Sequence, residues 1–150
     1  MRKKESIDSF LEPKKMAIAG VSSNPKKFGY VIFKELREKG FDICPVNPKL
    51  ETLDGIKCYK SVSAIPDDYE KLFIATPKQS TDEVIKQAGE KGIKHVWIQQ
   101  MANTKDSLKI AEENNINLIE KECIFMFADP VKSVHKFHRT LKKIFGGLPK

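Results

Sequence analysis

Short apolar runs that end in Gly, Pro or Thr alternate along this chain with longer stretches that carry apolar residues at helical spacing. Residues 15–20 (KMAIAG), 41–46 (FDICPV), 72–75 (LFIA), 95–99 (HVWIQ) and 116–119 (INLI) are too short and too apolar for anything but buried strands. Between them, Phe28, Ile32 and Leu36 recur at i, i+4, i+8 before Gly40, and Val84, Ile85 and Ala88 lead to Gly92. Ser80-Thr-Asp-Glu83 reads as a capping box that opens the helix over 81–91. A further helix is expected over 104–113, a small strand near 56–58, and one helical turn near 62–65. A basic amphipathic helix is expected within residues 130–150, and residues 1–14 form an N-terminal extension or helix. Strands alternating with helices of ten to twelve residues make right-handed βαβ units and a parallel sheet. The expected fold is α/β: a single doubly wound domain over residues 1–150, with a mostly parallel five- to six-stranded sheet and helices on both faces.

Charged residues interrupt every apolar stretch well short of the ~20 residues a membrane span needs, and no apolar segment follows the basic start to make a secretory signal. Cys44, Cys58 and Cys123 form neither a CxxC pair nor a zinc-ligand spacing. That usage fits a reducing cytoplasm, with Cys44 as a buried core thiol. The formal net charge is +7, concentrated at Lys14, Lys15, Lys26 and Lys27 and again beyond residue 130. Such a field attracts anions of any kind, from nucleic acid to a polyphosphate ligand.

In a doubly wound sheet, ligands sit beyond the carboxyl ends of the strands where strand order reverses. That singles out three loops. The first, Gly20 to Gly29, leaves a strand and enters a helix, so its amides and the helix N-terminus make an anion site. Gly20 lets the chain turn, Ser22 and Ser23 offer hydroxyls, Lys27 adds charge, and Gly29 permits close approach. A Gly20→Val change is expected to block a phosphate while keeping the fold, provided Gly20 does not need a positive φ. The loop matches neither GxGxxG nor the P-loop pattern. The second loop, Val46-Asn47-Pro48-Lys49, has no acid for a plain ribose; Lys49 suits a ribose with its own phosphate, as in NADP or coenzyme A. In the third, Thr76 is expected to donate to a ligand oxygen and Pro77 to stiffen the crevice wall.

The chain resembles the small stand-alone CoA-binding proteins, whose Rossmann-like domain is similar to the N-terminal domain of the succinyl-CoA synthetase α subunit. The resemblance rests on Ala19-Gly20-Val21-Ser22, Phe28-Gly29, Pro45-Val46-Asn47-Pro48 and Ala75-Thr76-Pro77. Trp97-Ile98-Gln99-Gln100, Cys123-Ile124, His138-Arg139 and Phe145-Gly146 extend it along most of the sequence. It implies that coenzyme A or an acyl-CoA is the ligand, with its phosphates over Gly20, Ser22, Ser23 and Lys27. Val46, Asn47 and Pro48 would line the adenosine pocket, and Thr76 and Pro77 the opposite wall. Val21, Phe28, Gly29 and Lys49 complete the expected set. After Gln100 relatives often continue with Gly, whereas this chain has Met101.

No catalytic residue and no metal ligand is assigned. His135, His138 and Arg139 share a helix face without a carboxylate, and Glu120 and Glu122 beside Cys123 disfavour a thiolate. A non-catalytic binding module is the first reading, with a protein partner or a second copy of the chain left open. An NADP-dependent oxidoreductase and nucleic-acid binding through the basic C-terminal helix are the alternatives.

Overall fold

The computed structural model describes residues 3–124. The expected C-terminal helix, with His135, His138 and Arg139, lies outside the described residues.

The described chain runs α1 (Lys3–Leu11), β1 (Lys15–Ala19), α2 (Phe28–Glu38), β2 (Asp42–Val46), β3 (Thr52–Leu53) and β4 (Ile56–Lys57). It continues through a 3-10 turn at Val62–Ala64 into β5 (Lys71–Ile74), α3 (Lys78–Lys91), β6 (His95–Gln99), α4 (Ser107–Glu113) and β7 (Asn117–Glu122). Five strands form one sheet in the order β2-β1-β5-β6-β7, every neighbouring pair parallel. From β1 the chain builds outward to β2, then crosses back past β1 to β5. Strand order therefore reverses between β1 and β5, and the crevice above that pair is where a doubly wound sheet holds its ligand.

Each sheet face carries its own core. Met16, Ile18, Phe73, Trp97 and Ile119 pack with α1 through Ile7 and Phe10, and with α2 through Phe28, Ile32, Phe33 and Leu36. On the other face Ala17, Leu72, Ile74, Val96 and Ile98 meet Ile85 and Ala88 of α3, and Ile110 and Ala111 of α4. Trp97 is fully buried, stands edge-on to Phe10 with ring centroids 5.5 Å apart, and donates Nε1–H to the Glu122 carbonyl at 3.1 Å. The helices α2, α3 and α4 end by one device. Past α2 the Phe41 amide returns to the Leu36 carbonyl and the Gly40 amide to that of Arg37, with Gly40 at φ +92°. This Schellman pairing turns the chain straight into the next strand, and the same two bonds close α3 and α4 ahead of Ile93 and Ile116.

Three local expectations change. The small strand near 56–58 is half of an antiparallel hairpin, β3 with β4, turned by Asp54 and Gly55 at φ +50° and +81°. The capping box is not made: α3 starts at Lys78, and Pro77 stands at the N-cap without a side-chain bond. Pro77 has the fixed φ from which a helix can begin, so Ser80 and Glu83 fall inside the first turns. The last helix of the described chain starts at Ser107, because Thr104 is held outside it: its hydroxyl donates to the Asp82 carboxylate at 2.6 Å and its amide to the Ser107 hydroxyl at 2.7 Å.

Candidate functional site

At the reversal point the backbone itself is the main feature. Gly20 ends β1 at φ +96°, and its amide donates to the Val46 carbonyl of β2 at 3.2 Å. A Cβ on Gly20 would stand 2.6 Å from the backbone of Ala75 and Thr76, so the turn is pressed against the end of β5. Gly29, in the first turn of α2, has the Gly20 carbonyl oxygen 2.0 Å from where its own Cβ would be. Two side chains are thus excluded so that a helix N-terminus can approach a strand end. Gly20→Val is not fold-neutral, because a β-branched residue would need a left-handed φ and would strike backbone.

The loop between these glycines braces itself. The Asn24 amide donates to the Ser22 hydroxyl oxygen at 3.0 Å, and Asn24 Oδ1 accepts from the Lys26 amide at 2.9 Å. Ser22 is half-buried and is used there as an acceptor, so its own proton stays available to a ligand oxygen. Ser23, Lys26 and Lys27 are exposed. Lys27 is the N-cap of α2 and gives it no side-chain cap, and the positive end of the helix dipole lies there. Phe28 and Val21 are buried in the core and anchor the loop from below.

Asn47 links the second loop to the first. Its Nδ2 donates to the Val21 carbonyl at 2.7 Å and its Oδ1 accepts the Lys49 amide at 2.7 Å. Its side chain is engaged by protein on both ends and fixes the crevice wall. Val46 is buried, while Pro48 and Lys49 are exposed beside it.

On the opposite wall the expected role of Thr76 reverses. Thr81, fully buried in α3, donates its only hydroxyl proton to the Ala102 carbonyl at 2.8 Å. The 3.2 Å contact between the Thr76 and Thr81 hydroxyls therefore runs from Thr76 as donor. In this arrangement Thr76 has only lone pairs to offer a ligand, and it accepts rather than donates. Pro77 is exposed at the head of α3, so the N-termini of both α2 and α3 sit at the carboxyl edge of the sheet.

Sequence reasoning did not place Thr81 or Gln99 in the site. Gln99 is buried at the end of β6, its Oε1 accepting the Ile124 amide at 3.5 Å. His95 lies at the other end of β6, in register with Lys71 and Asn117, away from the crevice. Cys44 and Cys58 are buried, and burial raises both thiols, Cys44 to about 12. Among the described residues no helix is long and apolar enough to cross a membrane.

Two glycines without room for a side chain stand at the reversal point, with Lys26, Lys27 and Lys49 exposed on the two loops beside them. The family model for the CoA binding domain matches residues 14–129. This chain belongs to the CoA-binding domain family. The alpha subunit of ADP-forming acetate–CoA ligase II from Pyrococcus furiosus is 33% identical over 129 residues, which cover 79% of this chain and 28% of that one. The chain thus spans under a third of the length of that curated relative. Among solved structures, a conserved hypothetical protein from Pyrococcus furiosus aligns with a TM-score of 0.72 at 35% identity, over 74% of this chain and 96% of that one. The apo form of a dinucleotide-forming acetyl-coenzyme A synthetase 1 from Ca. Korarchaeum cryptofilum aligns with a TM-score of 0.67 at 25% identity, over 75% of this chain and 27% of that one.

Proposed function

We propose that residues 1–150 form one cytoplasmic domain that binds coenzyme A or an acyl-CoA and carries out no chemistry of its own. The observation that carries this reading is the Gly20–Gly29 contact at the strand reversal, where two missing side chains bring the positive end of the α2 dipole against the strand end, an arrangement that favours phosphate oxygens. Gly20, Ser22, Ser23, Lys27 and Gly29 hold the phosphates, with Val21 and Phe28 supporting the loop from the core. Val46, Asn47 and Pro48 form the adenosine wall, and Asn47 acts by positioning. Lys49 meets the ribose 3′-phosphate. Thr76 accepts a hydrogen bond from the ligand, and Pro77 keeps the end of β5 rigid.

The bound group would supply a thiol that carries an acyl chain as a thioester. This chain orients it, holds its charge and screens its phosphates. The ligase relative contributes support through its name alone, and its further length would hold whatever catalytic parts that activity needs. The lysine at position 49 also fits the 2′-phosphate of NADP, which makes NADP the competing ligand to test.

The decisive experiment is a thermal-shift and calorimetry panel on the wild-type chain and Lys49→Glu, with CoA, acetyl-CoA, dephospho-CoA, NADP and NAD. The expected result is stabilisation by CoA and acetyl-CoA, less by dephospho-CoA, and none by NAD. At a hundredfold excess over the dissociation constant the gain is about 2.7 kcal/mol. Lys49→Glu should weaken CoA more than dephospho-CoA. Stabilisation by NADP alone would overturn the reading.

A further inference from the structure

The carboxyl ends of β1, β5 and β6 carry Gly20, Ala75 and Gln99 in one row. Ala19 pairs with Ile74, and Ile74 with Ile98, so each of the three is the next residue along its strand. Adjacent strands lie about 4.8 Å apart, which sets the Gln99 backbone on the order of 10 Å from the glycine cradle. Side chains alternate along a strand, so Gln99 takes the sheet face of Trp97. That face holds Val21 of the first loop and Phe28 of α2 in the same core cluster. Gln99 thus belongs to the crevice side of the molecule on which the phosphate loop is built.

Its side chain is 3% exposed, yet only half satisfied. Oε1 faces the Ile124 amide at 3.5 Å, and Nε2 has no hydrogen-bond partner among the described residues. A buried amide donor without an acceptor is costly, so each one calls for an explanation, and an acceptor brought by a ligand is one. The strand beside it is shaped around this residue. Trp97 is opposite Ile119 and Gln99 opposite Glu122, so three residues of β7 span two of β6, with Lys121 at φ +65° in the bulge. The bulge brings the Cys123–Ile124 backbone onto Gln99, as bulges next to sites do when they re-aim a chain.

We propose that Gln99 is a specificity-determining residue of the crevice, whose Nε2 donates to a carbonyl oxygen on the arm of the ligand that leads from the phosphates to the thiol. The inference rests on the CoA reading above. Nε2 is a donor only, so the partner must accept. Phosphate oxygens accept too, but they lie over Gly20, two strands away. Beyond the phosphates CoA offers amide carbonyls, and an acyl-CoA adds the thioester carbonyl.

The test is calorimetric titration of the wild-type chain and Gln99→Met with CoA, acetyl-CoA and adenosine 3′,5′-bisphosphate, a fragment without the arm. Thermal melts of the free proteins run alongside. Gln99→Met keeps the volume and removes the Nε2 donor together with the Oε1 that faces the Ile124 amide. The expected result is a loss of about tenfold in affinity for CoA and unchanged affinity for the fragment, with a free protein that melts close to wild type, because one unpaired donor at Nε2 is exchanged for another at the Ile124 amide. A larger loss for acetyl-CoA than for CoA would identify the thioester as the acceptor, and an equal loss an arm amide; either supports the proposal. Unchanged affinity for both CoA and acetyl-CoA would overturn it and leave the CoA reading intact. Equal losses for fragment and CoA, together with a lower melting temperature, would make Gln99 a structural residue and overturn it as well. A wild-type chain that binds none of the three would overturn the CoA reading itself. Gln99→Leu serves as the second variant should the first not fold.

Discussion

The carbonyl oxygen of Gly20 occupies the space in which a side chain on Gly29 would begin, 2.0 Å from the ideal Cβ position. The contact joins a strand end to a helix start across the phosphate loop, and both partners are backbone. In an ordinary helix Gly→Ala gains about 1 kcal/mol. Here Gly29→Ala must push the Gly20 turn away, and Gly20 is itself pressed on Ala75 and Thr76. The expected outcome is a net loss of about 1–3 kcal/mol in urea unfolding, with weaker CoA binding. A variant more stable than wild type would mean the loop yields freely and the cradle is not rigid.

Asn47 offers a second test of the loop. Its amide donates to the Val21 carbonyl and its oxygen takes the Lys49 amide. Asn47→Asp keeps the oxygen, removes the donor and sets a carboxylate against the Val21 carbonyl. We expect a loss of about 1–2 kcal/mol in stability. Binding of adenosine 3′,5′-bisphosphate should fall as well, since the wall moves and gains negative charge. If Asn47→Ala and Asn47→Asp unfold at the wild-type midpoint, the tie between the loops is incidental.

The parts of this site that could be read from sequence are those in which one residue type answers a local need. Gly20 after an apolar strand, Gly40 after a helical stripe and Asn47-Pro48 after β2 each announce a turn without reference to anything distant. What stayed hidden depends on residues far apart in the chain. Thr76 looks like a donor until Thr81 is seen to give its proton to Ala102, 21 residues on. Gln99 is only the last residue of a strand until the β7 bulge lays Ile124 against it. The capping box at Ser80 failed for a local reason: Pro77 is itself a helix start, and the earlier of two competing signals prevailed.

Met101 stands at φ +76° in the turn after β6 and is 53% exposed. A side chain in the left-handed region costs about 1–2 kcal/mol, and here little burial offsets it. Met101→Gly should therefore stabilise the chain, less the extra freedom Gly gives the unfolded state, for a net gain of about 0.5–1 kcal/mol and a melting temperature higher by roughly 2–4 °C. Differential scanning calorimetry of the two proteins checks it. A lower melting temperature for Met101→Gly would show that the methionine packs on the crevice mouth.

Alkaline pH tests the core beneath β2. Burial, then Cys58 and Asp42 nearby, push the Cys44 thiol from 9.0 up to about 12. The folded chain therefore holds this proton where the unfolded chain has lost it, so stability falls as pH rises from about 9 toward 12. Tyr69 acts in the same sense, since burial and its 2.7 Å bond to Asp42 raise the phenol. Lys71 acts oppositely: burial against the Pro13 carbonyl lowers its ammonium, so the folded chain releases that proton first and gains stability with pH in the lysine range. Three raised acids, with burial lifting Cys58 as well, and the Lys15 ammonium raised by its bond to Asp68, against one lowered base, should give a net decline in the urea midpoint from about pH 9 to about pH 11. Cys44→Ala loses packing at every pH, so the comparison lies in the slope, which should be shallower than in wild type. Parallel slopes would mean that the thiol at position 44 ionises as readily in the folded chain as in the unfolded one, and that the alkaline decline has its source at Tyr69, Cys58 and Lys15.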